Sequence, residues 1–221
     1  MYLPHILTAP LMTTGPMTSE WAFVNDGELQ IGVWECLPGA LDEPTGDYDE
    51  AMFMVAGRAT IDHEGGSYDL APGTLWATPR RWPGAWHVHQ AVRKMYVIDH
   101  RGGGPAAPSH LPNAYSLDLG RATRRAHVIA GDPHERAVSI WVQNHLDVGV
   151  WECTPGEFPF RRDGYDEVFT VLAGHATLHC DSGQSFELLP GAVILTPAGL
   201  TGRWVVHETI RKAYTIINDR G

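Results

Sequence analysis

Gly32-Val33-Trp34-Glu35-Cys36 and Gly149-Val150-Trp151-Glu152-Cys153 spell the same five residues 117 positions apart. Working outward from them, the same markers return in the same order. Pro38-Gly39 recurs as Pro155-Gly156, Tyr48-Asp49-Glu50 as Tyr165-Asp166-Glu167, and Ala56-Gly57 as Ala173-Gly174. One residue is then inserted and the offset becomes 118. Pro72-Gly73 matches Pro190-Gly191, Thr78-Pro79 matches Thr196-Pro197, Arg93-Lys94 matches Arg211-Lys212, and Trp86, His89 and Tyr96 match Trp204, His207 and Tyr214. Chance does not order so many matches. The period exceeds the roughly 20–50 residues of a solenoid unit and suits a domain with its own core. Between the copies, residues 101–108 are rich in Gly and Pro, as a linker is. The expected domains are therefore residues 1–103 and 109–221.

Each copy reads as short β-type runs between Gly and Pro turns. In the first these are Glu28–Leu37, Ala51–Ile61, Thr74–Thr78, Trp86–Val92 and Met95–Ile98. In the second the later runs are Val168–Leu178, Ala192–Thr196, Trp204–Ile210 and Ala213–Ile217. Short runs with regular turn signals specify a sandwich or barrel. No sustained helical periodicity interrupts them. The expected fold class is all-β, with two tandem jelly-roll barrels, each able to enclose a ligand.

Composition narrows the partners. Lys plus Arg is 16 and Asp plus Glu is 26, giving a net charge of −10. Such a surface repels phosphate backbones and anionic headgroups, which excludes nucleic acid as the main partner. No stretch approaches the ~18 apolar residues of a membrane-spanning helix. Met1–Ala9 lacks a basic segment followed by an apolar run. Three cysteines, Cys36, Cys153 and Cys180, form no disulfide framework. A cytoplasmic protein is the expectation.

The spacing around both glutamates resembles the cupin superfamily. Glu167 precedes Gly174, and Glu50 precedes Gly57, at the distance that ends the first cupin motif. Gly191, Pro197 and Gly199 match the start of the second motif. The first copy keeps Gly73 and Pro79 but has Arg81 for the next glycine. Within the superfamily both copies look like the DUF861 (Cupin_3) branch, which includes the ethanolamine-utilisation cupin and ureidoglycine aminohydrolase. The features that carry this are Tyr165-Asp166-Glu167, Pro190-Gly191, Trp204-Val205-Val206 and Arg211-Lys212-Ala213-Tyr214. The resemblance covers roughly residues 25–100 and 142–218, and it implies a bicupin.

It also implies metal-binding histidines, and here the chain departs. The first-motif histidine positions hold Phe160, Arg161, Arg162 and Asp163 in the second copy, and Glu43, Pro44, Thr45 and Gly46 in the first. The second-motif position holds Gly202 or Gly84. One carboxylate per copy is short of the three protein ligands that a transition metal normally needs, so neither a metal nor another cofactor is expected. Trp86 and Trp204 follow these glycines by two residues and share their face. An indole in the vacated space is the expectation. By the same parity Tyr48, Glu50, Met52 and Met54 share one face, as do Tyr165, Glu167, Phe169 and Val171.

The candidate catalytic residues are Glu50 and Glu167. The candidate ligand-binding residues are Tyr48, Trp86, Lys94, Tyr165, Trp204 and Lys212. A glutamate inside a barrel with a raised pKa would move a proton or hold a cationic or hydroxylated ligand. The competing reading is a structural carboxylate paired with Lys94/Lys212 or Arg93/Arg211. The tryptophans read as core filling or as the wall of a ligand pocket. His87 and His89 face away from Trp86 and Val88, so they point outward. Cys36 and Cys153 read as small hydrophobes, Cys180 as a turn residue, and Arg80-Arg81 and Arg161-Arg162 as solvated loop charges or, near a barrel mouth, as pairs that attract a carboxylate or phosphate ligand. The leading functional expectation is a metal-independent protein that binds a small organic molecule, as a monomer or homodimer. The alternative is an enzyme acting on a small polar metabolite with Glu as general acid/base.

Overall fold

A computed structural model describes residues 5–41, 46–104 and 106–219. Among them there is no helix, and so none long and apolar enough to cross a membrane. The chain forms two compact units. One comprises Ile6–Ala114 with Trp141–His145; the other contains Tyr115–Ile140 and the chain from Leu146 onward, together with His5. Each unit is a curved antiparallel β structure, so the all-β expectation holds.

The two units repeat one pattern of pairing. In the first, Leu29–Cys36 pairs with the long strand Ala85–Asp99, which pairs in turn with Asp49–His63. Leu75–Thr78 closes on Asp49–His63 from its other edge. In the second, Leu146–Cys153, Thr201–Asn218, Tyr165–Cys180 and Val193–Thr196 repeat this order. The repeated pentapeptide sets the register. Trp34 lies opposite Lys94 and Glu35 opposite Arg93, just as Trp151 lies opposite Lys212 and Glu152 opposite Arg211.

Two runs expected to be separate are one strand. Trp86–Val92 and Met95–Ile98 fall within Ala85–Asp99, and Trp204–Ile210 and Ala213–Ile217 within Thr201–Asn218. The Arg-Lys pair breaks the apolar pattern but not the ladder. Arg93 reaches Glu35 at 3.4 Å while Lys94 turns inward to Glu50. Each charge finds a partner on its own side of the sheet. Cys180, expected in a turn, ends the strand Tyr165–Cys180 and is buried.

Each long central strand is kinked at its glycine. The register shifts between Met54 and Arg58 and again between Val171 and His175. Gly57 and Gly174 have φ of +84° and +83°, and a Cβ there would lie 2.1 Å from the Ala91 carbonyl oxygen or 2.0 Å from that of Thr209. Only glycine fits both the backbone angle and the approach. The bend carries Tyr48–Met54 and Tyr165–Val171 over the barrel interior. Each interior is filled by one apolar cluster, around Met52, Met54 and Trp76 in the first unit and around Phe158, Phe169 and Trp204 in the second.

Candidate functional site

Each barrel contains a cavity built on equivalent positions. The first encloses about 290 Å³ and is lined by Tyr48, Glu50, Trp86 and Lys94 among others. The second encloses about 260 Å³ and is lined by Tyr165, Glu167, Trp204 and Lys212. All eight candidate residues thus meet in two groups of four. Trp34 and Trp151, contributed by the repeated pentapeptide, complete the walls. Trp34 and Trp86 lie 6.0 Å apart between ring centroids, and Trp151 and Trp204 lie 5.7 Å apart.

At the centre of each cavity is a buried ion pair. Lys94 Nζ donates to Glu50 Oε1 at 2.6 Å, and Lys212 Nζ donates to Glu167 Oε1 at 2.5 Å. The indoles flank the ammonium: Lys94 Nζ is 4.9 and 5.1 Å from the Trp34 and Trp86 centroids, and Lys212 Nζ is 5.0 and 5.3 Å from those of Trp151 and Trp204. These are cation–π distances. Arg93 and Arg211 turn the other way, to Glu35 and Glu152. Both tryptophans line a cavity, and Trp204 also packs in the core cluster.

Arg162 overturns its reading as a solvated loop charge. Its neighbour Arg161 is exposed, but Arg162 is 7% exposed and its guanidinium contacts Glu167 Oε2, while Lys212 takes Oε1. Arg162 Nε also donates to Thr196 Oγ1 at 2.9 Å, and Nη1 to the Tyr165 hydroxyl at 3.4 Å. Two buried cations therefore share one carboxylate. Burial alone would raise the Glu167 pKa, but Arg162 and Lys212 outweigh it and hold the carboxyl below its ordinary value. The raised glutamate expected from burial is thus corrected for Glu167. Lys212 bears the counterpart. Burial pushes its ammonium down to about 8, with Arg162 adding to the shift and Glu167 opposing it.

The first cavity is polarised the other way. Glu20 lines it as a second carboxylate, accepting from Gln30 Nε2 at 2.7 Å and from the Tyr96 hydroxyl. Burial, reinforced by Glu20, raises the Tyr96 pKa. The equivalent of Glu20 in the second cavity is Ala137, and Tyr214 meets Ser139 at 3.0 Å instead. Burial pushes the Tyr214 hydroxyl up to about 12. Among described lining residues the first cavity has two carboxylates to one ammonium. The second has one carboxylate to Lys212 and Arg162, plus an Arg125 that is paired with Glu135.

The residues at the cupin metal positions do not fit a metal. At Gly202 a Cβ would lie 2.1 Å from the His179 carbonyl oxygen and 2.8 Å from the Phe160 ring; at Gly84 it would meet Trp82 at 2.2 Å. No imidazole fits at Gly202 without backbone movement. The space is filled by Phe160 and Trp82, not by Trp204 and Trp86 as expected. At the first motif, Arg162 directs a fixed positive charge at the very carboxylate that would have been a ligand. Of the first copy's positions, Glu43, Pro44 and Thr45 lie outside the described residues. Of the histidines read as outward-facing, His89 is exposed and His87 is half-buried, bonding Asp62 at 3.3 Å. His175, Glu187 and His207 cluster on the outer face of the second barrel, so they supply no donor to its interior. Cys36, Cys153 and Cys180 are buried and free, and burial raises each thiol's pKa.

Two jelly-roll barrels, each with a kinked central strand and a Glu–Lys pair whose ammonium is flanked by tryptophans, define a bicupin. Residues 24–96 and 144–214 both match the EutQ-like cupin domain, and the chain belongs to that family. No curated protein matches the chain. Solved structures share the fold at low identity. A DUF861-family protein of unknown function from Pseudomonas syringae pv. tomato is 19% identical, covers 98% of each chain and superposes with a TM-score of 0.78. A putative glyoxylate induced protein from Pseudomonas aeruginosa is 15% identical over 100% of this chain and 89% of its own, with a TM-score of 0.73. The protein Ylba from E. coli is 10% identical over 98% and 90%, with a TM-score of 0.68.

Sequence reasoning missed Glu20 and Asp49/Asp166 as contributors, and favoured the solvated reading of Arg162. Asp49 and Asp166, buried beside the candidate glutamates, accept from the backbone N–H of Arg80 and Ala198 at 2.9 and 2.7 Å. They fix the loops that follow Thr78-Pro79 and Thr196-Pro197. Their signal was present in the repeated Tyr-Asp-Glu. Glu20 gave none, because it lies in no repeated motif; Arg162 stood at a first-motif histidine position in an Arg-Arg pair, but which of the two arginines turns inward was not legible.

Proposed function

We propose that this protein binds small organic molecules without a metal, and that the second barrel selects a carboxylate. One observation carries the reading: Arg162 and Lys212, both buried, converge on the single carboxylate of Glu167. The excess positive charge lies among aromatic walls, where electrostatic attraction is weakly screened. A planar carboxylate fits an arginine fork, and an aromatic enclosure with few polar groups is the usual form of a ligand site. Glu20 and Glu50 give the first cavity the opposite preference, for a cationic or hydroxylated molecule. The unpaired cysteines and acidic composition accord with a cytoplasmic monomer or homodimer.

Glu167, held ionised between two cations, is a poor proton donor. That weighs against an enzyme in which this glutamate is the general acid. Calorimetric titration with propionate and with propylamine tests the proposal. Propionate binds the wild type, and Arg162→Gln weakens it about tenfold or more, as loss of a charge-assisted contact does. Propionate affinity unchanged by that substitution would remove the carboxylate reading.

A further inference from the structure

Lysine is almost absent from this chain. Of its 16 basic residues only Lys94 and Lys212 are lysine, and the rest are arginine. Both lysines are buried, occupy equivalent positions, and donate to the glutamate at the centre of a cavity. Arginine serves for the chain's other cations, including the buried Arg162 and Arg211. An ammonium differs from a guanidinium in one chemical respect that matters inside a cavity: it can lose its proton and become a nucleophile.

The two lysines are not equally placed to do so. Around Lys212 stand Arg162 and Arg125 as neighbouring cations and Glu167 as the one carboxylate it touches. Trp151, Trp204 and Phe169 surround its Nζ, with the Phe169 centroid 4.3 Å away. An amine in apolar surroundings beside a second cation is the arrangement that activates lysine toward carbonyl carbons. Lys94 has Glu50 and, across the same cavity, Glu20, and no second cation lines that cavity among the described residues.

We infer that Lys212 forms an iminium with the keto carbon of a small 2-oxo acid whose carboxylate is held by Arg162. This rests on the carboxylate reading of the second cavity and extends it to a reaction. Arg162 and Lys212 reach the two oxygens of one carboxylate, Oε2 and Oε1 of Glu167. A ligand lying across them therefore presents its first carbon to the guanidinium and its second to the amine. Lys212 releases one proton to solvent, and the freed lone pair attacks the keto carbon. The amine proton moves to the oxygen, giving a neutral carbinolamine. That hydroxyl takes up one proton from solvent and leaves as water. Ammonium and ketone become iminium and water, with no change of oxidation state.

The experiment is to incubate untagged protein with pyruvate, reduce with sodium cyanoborohydride, and locate the adduct by intact mass and peptide mapping. Peptide mapping separates Lys94 and Lys212 from the α-amino group, which pyruvate and cyanoborohydride also alkylate. One reduced adduct at Lys212 is expected, with Lys94 unmodified, none in Lys212→Arg, and at least about tenfold slower formation in Arg162→Gln. Wild-type mapping stands even where Lys212→Arg fails to fold. No adduct at Lys212, or equal labelling of Lys94, overturns the inference. Calorimetry with propionate, which has the carboxylate and lacks the ketone, separates the two levels. Propionate binding without a pyruvate adduct sinks the iminium alone; failure of both acids to bind sinks the carboxylate reading with it.

Discussion

The two barrels share a strand order, a register, a kinked central strand and a Glu–Lys pair between indoles, yet their interiors carry opposite charge. The difference comes from residues outside the shared motifs. Glu20 stands where the second copy has Ala137, and Arg162 enters the second cavity from the segment preceding Tyr165. The repeated residues build the scaffold and the central ion pair, and the unrepeated ones set its polarity. A duplicated fold can thus hold one geometry and present two electrostatic environments.

The largest expected contrast lies in the central carboxylates. Glu167→Gln leaves two buried cations without their partner and costs about 3–5 kcal/mol, read as a lowered midpoint in urea. Glu50→Gln strands only Lys94, with Glu20 still in the cavity, and costs less. Equal losses would show that Arg162 does not depend on Glu167.

The next contrast is between the glycines at the lost metal positions. At Gly202 an added methyl meets the His179 carbonyl and the backbone of Cys180, as well as Phe160; at Gly84 it meets the side chains of Trp82 and Ile61. Side chains move more readily than backbone. Gly202→Ala should therefore cost about 1–3 kcal/mol and Gly84→Ala less, as measured by thermal unfolding. A Gly84→Ala loss equal to or larger than that of Gly202→Ala would break the comparison.

Acid stability sharpens the same difference. Glu167 has a lower pKa folded than unfolded, so the unfolded chain takes up its proton first. The stability this group contributes is full above the ordinary glutamate value of about 4.3. It is lost as pH falls from there through the lowered folded value. Glu167→Gln should flatten that part of the acid unfolding profile; an unchanged profile would place the acid sensitivity elsewhere.

The smallest effect separates two adjacent arginines. Arg161 is exposed and pairs with the equally exposed Asp163, so Arg161→Ala should change stability by no more than about 0.5 kcal/mol. Arg162→Ala removes a buried partner of Glu167 and should cost several times that in the same urea titration.

Much of this protein was legible in its sequence. The repeated pentapeptide, the Pro-Gly turns and the Tyr-Asp-Glu triplets declare a duplicated β fold, because turn chemistry and strand alternation are local properties. Alternation also put Tyr48 on the face of Glu50 and Trp86 on the face of Gly84, with their counterparts in the second copy, and the missing histidines could be read by counting, while the choice between Lys94 and Arg93 as the partner of Glu50 stayed open. What fills the space at Gly84 and Gly202 could not, since Trp82 and Phe160 arrive there through long-range packing. Nor could the continuity of the long strands through Arg93-Lys94 and Arg211-Lys212, where charges that look like a break are satisfied across the sheet. The polarity of each cavity was likewise decided in three dimensions. Whether Arg162 is a solvated loop charge or a buried partner of Glu167 depends on which residues the fold brings within a few ångströms, and Coulomb energy depends on that distance and burial rather than on separation along the chain.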